Sequence, residues 1–293
     1  MWENKLKHSV EEELSEIKQT RVEILDVQNV HGGDINYAYQ LDTNTGKYFI
    51  KVNKGLVFPK MFQQESLGLN FIKKSNTFET PKVITYKEGS DKAYLLLEWI
   101  QPGGPTPTFW EDFGRKLARM HACSSSYFGW ESDNYIGSLK QYNRRTKNWS
   151  DFFVLQRLEP QLKMAVEKKI MKPEEVKSFE KLFAQLEKLF PVEPPALLHG
   201  DLWSGNYMVS SKGSPIIMDP AVYFGHREMD LAMTRLFGGF GEEMYRSYHE
   251  HFPLESEWEQ RVDLCNLYPL LVHVNLFGRG YLSKVKEVLK HFS

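Results

Sequence analysis

The stretch that decides the fold is Leu197-Leu198-His199-Gly200-Asp201-Leu202-Trp203-Ser204-Gly205-Asn206-Tyr207-Met208-Val209, followed closely by Ile216-Ile217-Met218-Asp219-Pro220. Two short apolar runs each deliver an acid, and the first adds an asparagine five residues after its aspartate. An amide oxygen and a carboxylate at that spacing suit a divalent ion shared with phosphate oxygens, while the other carboxylate is free to orient an attacking hydroxyl. The pattern points to phosphoryl transfer, with Asp201 toward the hydroxyl and Asn206 and Asp219 toward the metal. Taken singly, Gly200-Asp201 and Ser204-Gly205-Asn206 are ordinary turn formers. The joint occurrence of Asp, Asn and a second Asp between apolar strands distinguishes the stretch.

Working outward, the segment from His199 to Asn206 resembles the catalytic loop of the aminoglycoside-phosphotransferase branch of the protein-kinase-like fold. The run Asp219-Pro220-Ala221-Val222-Tyr223-Phe224-Gly225-His226-Arg227-Glu228-Met229-Asp230-Leu231-Ala232-Met233-Thr234-Arg235-Leu236-Phe237-Gly238-Gly239-Phe240 resembles, more narrowly, the fructosamine kinase (ketosamine 3-kinase) family. The likeness runs from about Val30 to the end of the chain. It includes Phe128-Gly129-Trp130, Asn134-Tyr135-Ile136-Gly137 and Asn148-Trp149-Ser150-Asp151-Phe152-Phe153. The resemblance implies an α+β, two-lobed fold with ATP between the lobes and magnesium as the ion. It further implies transfer to a sugar hydroxyl of a ketosamine, the 3-hydroxyl, with later release of the amine. The acceptor would be a small ketosamine or a glycated protein.

The rest of the chain is consistent with two lobes. Leu6, Val10, Leu14 and Ile17 recur at helical spacing and predict an amphipathic first helix. Val22 to Asn29 and Tyr37 to Leu41 read as strands around His31-Gly32-Gly33-Asp34. A glycine pair between strands is by itself a turn; the resemblance makes Gly32 and Gly33 a loop covering the nucleotide. Tyr48-Phe49-Ile50-Lys51-Val52-Asn53 is an apolar strand with one central lysine. Lys51 is expected on the nucleotide phosphates, with Glu65 on the following helix to hold it or else as a plain exposed helix acid. Pro81 to Tyr86 and Ala93 to Ile100 are further strands, and by resemblance the backbone around Glu98 and Ile100 takes the adenine edge. Gln101-Pro102-Gly103-Gly104-Pro105 is the best linker in the chain, giving an N-lobe of residues 1–101 and a C-lobe of 102–293.

Beyond the linker the pattern turns helical. Thr108 and Glu111 have capping-box spacing before an apolar stripe of Phe109, Phe113, Leu117 and Met120, which reads as core. His121 at its end reads as a structural hydrogen-bonding residue and not a metal ligand. Pro160 should kink or split a helix over 152–170, and residues 173–190, 242–252, 257–277 and 281–292 complete the lobe as helices. Only ten residues separate Asp219 from Asp230, too few for the activation segment of protein kinases. That shortness favours a small acceptor. Trp203, two residues past Asp201, is either a core anchor or a flat apolar face for the sugar.

Composition narrows the alternatives. The 293 residues carry 37 Lys plus Arg against 38 Asp plus Glu, a formal charge of -1, so no general attraction to nucleic acid or an acidic membrane is expected. The basic run Arg144-Arg145-Thr146-Lys147 reads as a solvated loop. Cys123 and Cys265 form neither a disulfide framework nor a metal spacing. With a polar, acidic start and no long apolar run, a soluble, cytoplasmic protein is expected. The rivals are a sister small-molecule kinase for an aminoglycoside, choline or another sugar, and a non-catalytic nucleotide-binding protein. The latter would be expected to lack one of Lys51, Asp201, Asn206 and Asp219, and all four are present.

Overall fold

The computed structural model describes residues 2–30, 35–89 and 91–292. Gly32 and Gly33 lie outside the described residues. After helix α1 (Asn4–Lys18), strands β1 (Ile24–Asn29), β2 (Tyr37–Thr43) and β3 (Gly46–Asn53) precede helix α2 (Met61–Lys74). Strands β4 (Val83–Lys87) and β5 (Ala93–Glu98) close an antiparallel five-stranded sheet in the order β1-β2-β3-β5-β4.

Strand alternation decides what each face of this sheet carries. Ile50, Val52, Tyr94 and Leu96 pack with Leu6, Val10 and Leu14 of α1 on one face. Ala93, Leu95 and Leu97 pack with Phe62 and Leu69 of α2 on the other. Lys51, between Ile50 and Val52, therefore points to the α2 side, where Glu65 lies. Ile17 departs from the expected stripe: it is 46% exposed. The helix ends one residue later at Lys18, and the left-handed backbone of Gln19 turns the chain away before the last turn can be covered.

Residues 101–108 are all exposed and lead into α3 (Phe109–His121), then the short hairpin β6 (Asn134–Ile136) and β7 (Leu139–Gln141). The expected capping box is not formed. Thr108 stands at the N-cap position with φ -103° and ψ 20°, and its side chain makes no capping bond. Away from the extended backbone of an N-cap the hydroxyl is misdirected, and only the ordinary first helical bond, from the Asp112 N–H to the Thr108 carbonyl at 2.9 Å, is made there. The helix expected over 152–170 is α4 (Trp149–Phe152), a wide π-helical turn over Phe153–Leu158, and α5 (Glu159–Glu167). Pro160 sits in the first turn of α5, where its missing N–H costs least.

Helices α6 (Pro173–Phe183) and α7 (Leu186–Leu189) precede β8 (Ala196–Leu198), β9 (Tyr207–Val209), β10 (Pro215–Ile217) and β11 (Tyr223–Gly225). Helices α8 (Glu228–Leu236), α9 (Glu242–His251), α10 (Trp258–Cys265), α11 (Leu267–Phe277) and α12 (Leu282–Phe292) complete the second lobe. One large core joins these helices, from Phe109 and Phe113 through Phe152 and Phe179 to Leu289. No helix among the described residues is long and apolar enough to cross a membrane.

Candidate active site

Two nested antiparallel ribbons bring the acids together. β9 pairs with β10 and β8 with β11, so the loops over 199–206 and 218–222 must run side by side. The Ala221 N–H donates to the His199 carbonyl at 2.9 Å, and the Met218 N–H to the Asn206 carbonyl at 3.0 Å. This close approach demands glycine at 200: its φ is +82°, and a Cβ would stand 2.1 Å from the Ala221 oxygen. Asp219 also takes a left-handed backbone, φ 57°, one of the few such non-glycine positions.

Behind the first loop, buried Asp230 of α8 accepts the backbone N–H groups of His199 at 2.7 Å and Gly200 at 2.9 Å. His121 Nε2 lies 3.3 Å from the same carboxylate, and its Nδ1 is 2.8 Å from the Tyr248 hydroxyl. His121 is thus the structural hydrogen-bonding residue expected. His199 Nε2 faces the Met218 carbonyl at 2.9 Å, and its Nδ1 accepts the Asp201 N–H at 3.3 Å. Burial lowers the pKa of His199, which keeps the ring neutral with one nitrogen donating and the other accepting.

The two acids of the site differ in surroundings. Asp219 Oδ1 is 2.5 Å from Lys51 Nζ, which also donates to Glu65 Oε1 at 2.8 Å. Burial works against the charge of Lys51, but Asp219 and then Glu65 outweigh it and raise its pKa. A buried ammonium held by two carboxylates stays charged. Among the described residues no cation pairs with Asp201; Asn206 Nδ2 donates to its carbonyl at 2.7 Å and to Oδ2 at 3.1 Å. Burial pushes the Asp201 carboxyl up to about 7, against the Asn206 hydrogen bond and with help from the Asp219 and Asp230 charges.

Lys51, Glu65, Asp201, Trp203, Asn206 and Asp219 all line one cavity of about 860 Å³. Glu98 and Ile100 are half-buried at and beyond the end of β5 and do not line it. Ile35 and Asn36, just past the glycine pair, do. With its nitrogen committed to Asp201, Asn206 has Oδ1 left over, and Asp219 offers carboxylate oxygen. That all-oxygen pair fits magnesium, which completes its shell with water and substrate phosphates. Trp203 is half-buried, and its indole lies across Gly205, where a Cβ would come 2.3 Å from Trp203 Cη2. Glycine at 205 is what lets the ring lie flat over the loop.

No role was expected for the opposite wall, although Tyr135 to Gly137, Met233 and Phe237 fall in the motifs that carry the resemblance. It comprises the 135–138 hairpin tip and Met233, Phe237, His273, Phe277 and Tyr281. His273 lies about 5 Å from both Phe237 and Tyr281, centroid to centroid. Met233 and Phe237, and likewise His273, Phe277 and Tyr281, recur every four residues, but nothing along the chain links those two sets to each other or to the hairpin. Asp230 did leave a trace: with Glu228 it is one of two acids in the apolar run from Glu228 to Thr234, all of it buried.

With this geometry in place, comparison with known proteins is informative. The fructosamine kinase family model matches residues 6–292. A "Probable ketoamine kinase" from Synechocystis is 39% identical over 283 residues, covering 96% of this chain and 95% of that protein. The chloroplastic protein-ribulosamine 3-kinase of Arabidopsis thaliana is 37% identical, covering 95% of this chain and 85% of that protein. A crystal structure of a Thermobifida fusca protein assigned as a fructosamine-3-kinase superposes with a TM-score of 0.86 at 33% identity, over 96% of this chain and 97% of the other. An aminoglycoside phosphotransferase in ternary complex with AMP-PNP and hygromycin B, at 18% identity and a TM-score of 0.65, covers 96% of this chain and 98% of its own and shares the fold alone. Matched over almost its whole length by sequence model and relatives alike, the chain belongs to the fructosamine kinase family.

Proposed function

We propose that this protein transfers the γ-phosphoryl group of ATP to a sugar hydroxyl of a ketosamine, the 3-hydroxyl. The observation that carries the reading is the single cavity wall on which Lys51, Asp219, Asn206 and Asp201 converge beside Trp203. Lys51, held by Glu65, neutralises the nucleotide phosphates. The backbone of Glu98, the last paired residue of β5, and of Ile100 beyond it takes the adenine edge. Asn206 Oδ1 and Asp219 hold magnesium, which when bound supplies positive charge against the transferring phosphoryl group.

Asp201 orients the acceptor hydroxyl and receives its proton. A carboxyl kept free of cations and pushed up to about 7 by burial is a better proton acceptor than an ordinary carboxylate, because base strength follows pKa. Asp230 fixes the loop behind Asp201 through its two backbone N–H bonds. Trp203 presents an apolar face to the C–H side of the sugar. The relatives' names, ketoamine kinase and ribulosamine 3-kinase, support the acceptor class. The deciding assay follows ADP release with fructosyl-lysine, ribulosyl-lysine and aminoglycosides side by side, with the phosphate located by NMR. Turnover on the ketosamines, phosphorylated at O3, is expected; turnover on aminoglycosides alone would overturn the reading.

A further inference from the structure

The hairpin β6–β7 and the residues leading into it bond to the segments that carry both carboxylates holding Lys51. Toward Asp219, Asn134 Nδ2 donates to the Val222 carbonyl at 2.9 Å and Gln141 Nε2 to the Ala221 carbonyl at 3.0 Å. These amides are themselves locked: Gln141 Nε2 and Asn143 Nδ2 both donate to Asn134 Oδ1, and the Tyr268 hydroxyl donates to Gln141 Oε1. Toward α2, Ser132 Oγ donates at 2.6 Å to Oε1 of Gln64, the neighbour of Glu65. The Tyr135 hydroxyl donates to the Pro59 carbonyl at 2.9 Å, two residues before α2 begins. Trp130 meets Phe71 of α2 edge to face, centroids 4.8 Å apart. At the tip, a Cβ on Gly137 would lie 3.5 Å from Ile35 Cδ1 and 3.1 Å from Leu276 Cδ1.

Glu65 and Asp219 belong to different lobes, so the Lys51 triad depends on the distance between α2 and the 218–222 loop. Among the described residues this hairpin grips both. A protein kinase sets the same lysine–glutamate pair through its helix position and activation loop; here only ten residues follow Asp219 before Asp230, and a buried amide network stands on the other side of the triad. We infer that Ser132, Asn134, Tyr135 and Gln141 are positioning residues: the hairpin is a fixed bracket that holds Glu65 and Asp219 on Lys51 and makes the site assembled before any ligand arrives. The inference rests on the phosphoryl-transfer reading for its kinetic consequence and on the hydrogen bonds alone for its structural one.

The test uses the full chain with Ser132→Ala/Tyr135→Phe, which removes two half-buried hydroxyls and opens no core cavity, and with Asn134→Asp, which removes the donor to Val222. Each should lower kcat/KM for ATP on the order of tenfold, as small misplacements in an active site do, with the melting temperature of the double variant nearly unchanged. In a Glu65→Gln background, where the triad is already broken, the same changes should cost less than roughly twofold, since residues acting through one unit are not additive. Ser132→Thr, which keeps the hydroxyl, should restore activity. Hydrogen exchange of the α2 amides should quicken in the double variant whether or not the wild type turns over any acceptor. Inactive wild type with quickened exchange sinks the reaction assigned above and leaves the bracket standing. Unchanged α2 exchange, unchanged kinetics in an active enzyme, or equal losses in both backgrounds would each overturn the bracket. Should Asn134→Asp fail to fold, the double variant decides alone.

Discussion

The two walls of the cavity are built on opposite principles. On one, Lys51 is 7% exposed and its charge is tolerable only because Glu65 and Asp219 are in place; removing either partner leaves a buried charge uncompensated. On the other, Phe237 and Phe277 are 44% and 54% exposed, with His273 and Tyr281 between them, and no ion pair fixes their arrangement. Charge burial forces one geometry, whereas an apolar wall tolerates exchange of one ring for another at small cost. The first wall suits a ligand common to many enzymes and the second a ligand that varies among them.

The largest effect that separates the walls is expected at Asp201. Asp201→Asn keeps an oxygen to accept the Asn206 Nδ2 bond, so the loop should hold, while general-base positioning worth on the order of a hundred- to ten-thousand-fold is lost. Turnover should collapse with magnesium-ATP affinity intact by titration calorimetry. More than a tenth of wild-type turnover would move the proton acceptor elsewhere.

Next in size is Asp219→Ala, which strips Lys51 of its 2.5 Å partner and removes the carboxylate proposed for magnesium. Magnesium-dependent nucleotide binding should disappear. Calorimetry with and without the ion checks it, and unchanged affinity would relocate the ion and cost Asn206 its role as well.

Trp203→Ala probes the boundary between the walls. Because the indole lies over Gly205 and lines the cavity, its loss should raise KM for the ketosamine roughly tenfold, the equivalent of about 1.4 kcal/mol. KM for ATP and the melting temperature should barely move. A variant that unfolds instead would return Trp203 to the role of core anchor.

The smallest expected effect lies away from the cavity, at buried His226. Burial lowers its pKa from the ordinary 6.5, against the pull of Glu228 and Glu193. The unfolded chain therefore binds a proton here more readily than the folded one, and stability contributed at neutral pH is lost as pH falls through about 6.5 toward the folded value. One such group sets a slope of at most about 1.4 kcal/mol per pH unit. Thermal melts from pH 7.5 to 5.5 should show a falling Tm, with a shallower slope in His226→Gln; an equal slope would assign the acid sensitivity to other groups.

Much of the charged wall was legible along the chain, because local rules carry it. Lys51 stands between Ile50 and Val52, and strand alternation alone sends it to the opposite face from the α1 core. Asp201 and Asn206 sit within one loop, and Asp219 follows the next apolar run. Failures occurred where a local rule was overruled by its surroundings. Ile17 has helical spacing but no neighbour to cover it, and Thr108 has the right residue type with the wrong backbone.

What the sequence by itself determined was the chemistry available: one lysine in an apolar strand, an aspartate and asparagine five apart, a second aspartate after a short run, and too little chain beyond it for an activation segment. What only the tertiary structure decided was which of these groups meet and how they are held. The nested pairing of β8 with β11 and β9 with β10 put Asp201 and Asp219 on neighbouring loops. Asp230 reached back thirty-one residues to the His199 N–H, Asn134 reached forward eighty-eight to the Val222 carbonyl, and the aromatic wall drew on α8, α11 and the turn before α12. The physical reason is that a hydrogen bond or ring contact depends on distance in space. Periodicity in a sequence encodes which face a residue takes within one element, and the partner on that face is set only when the elements pack.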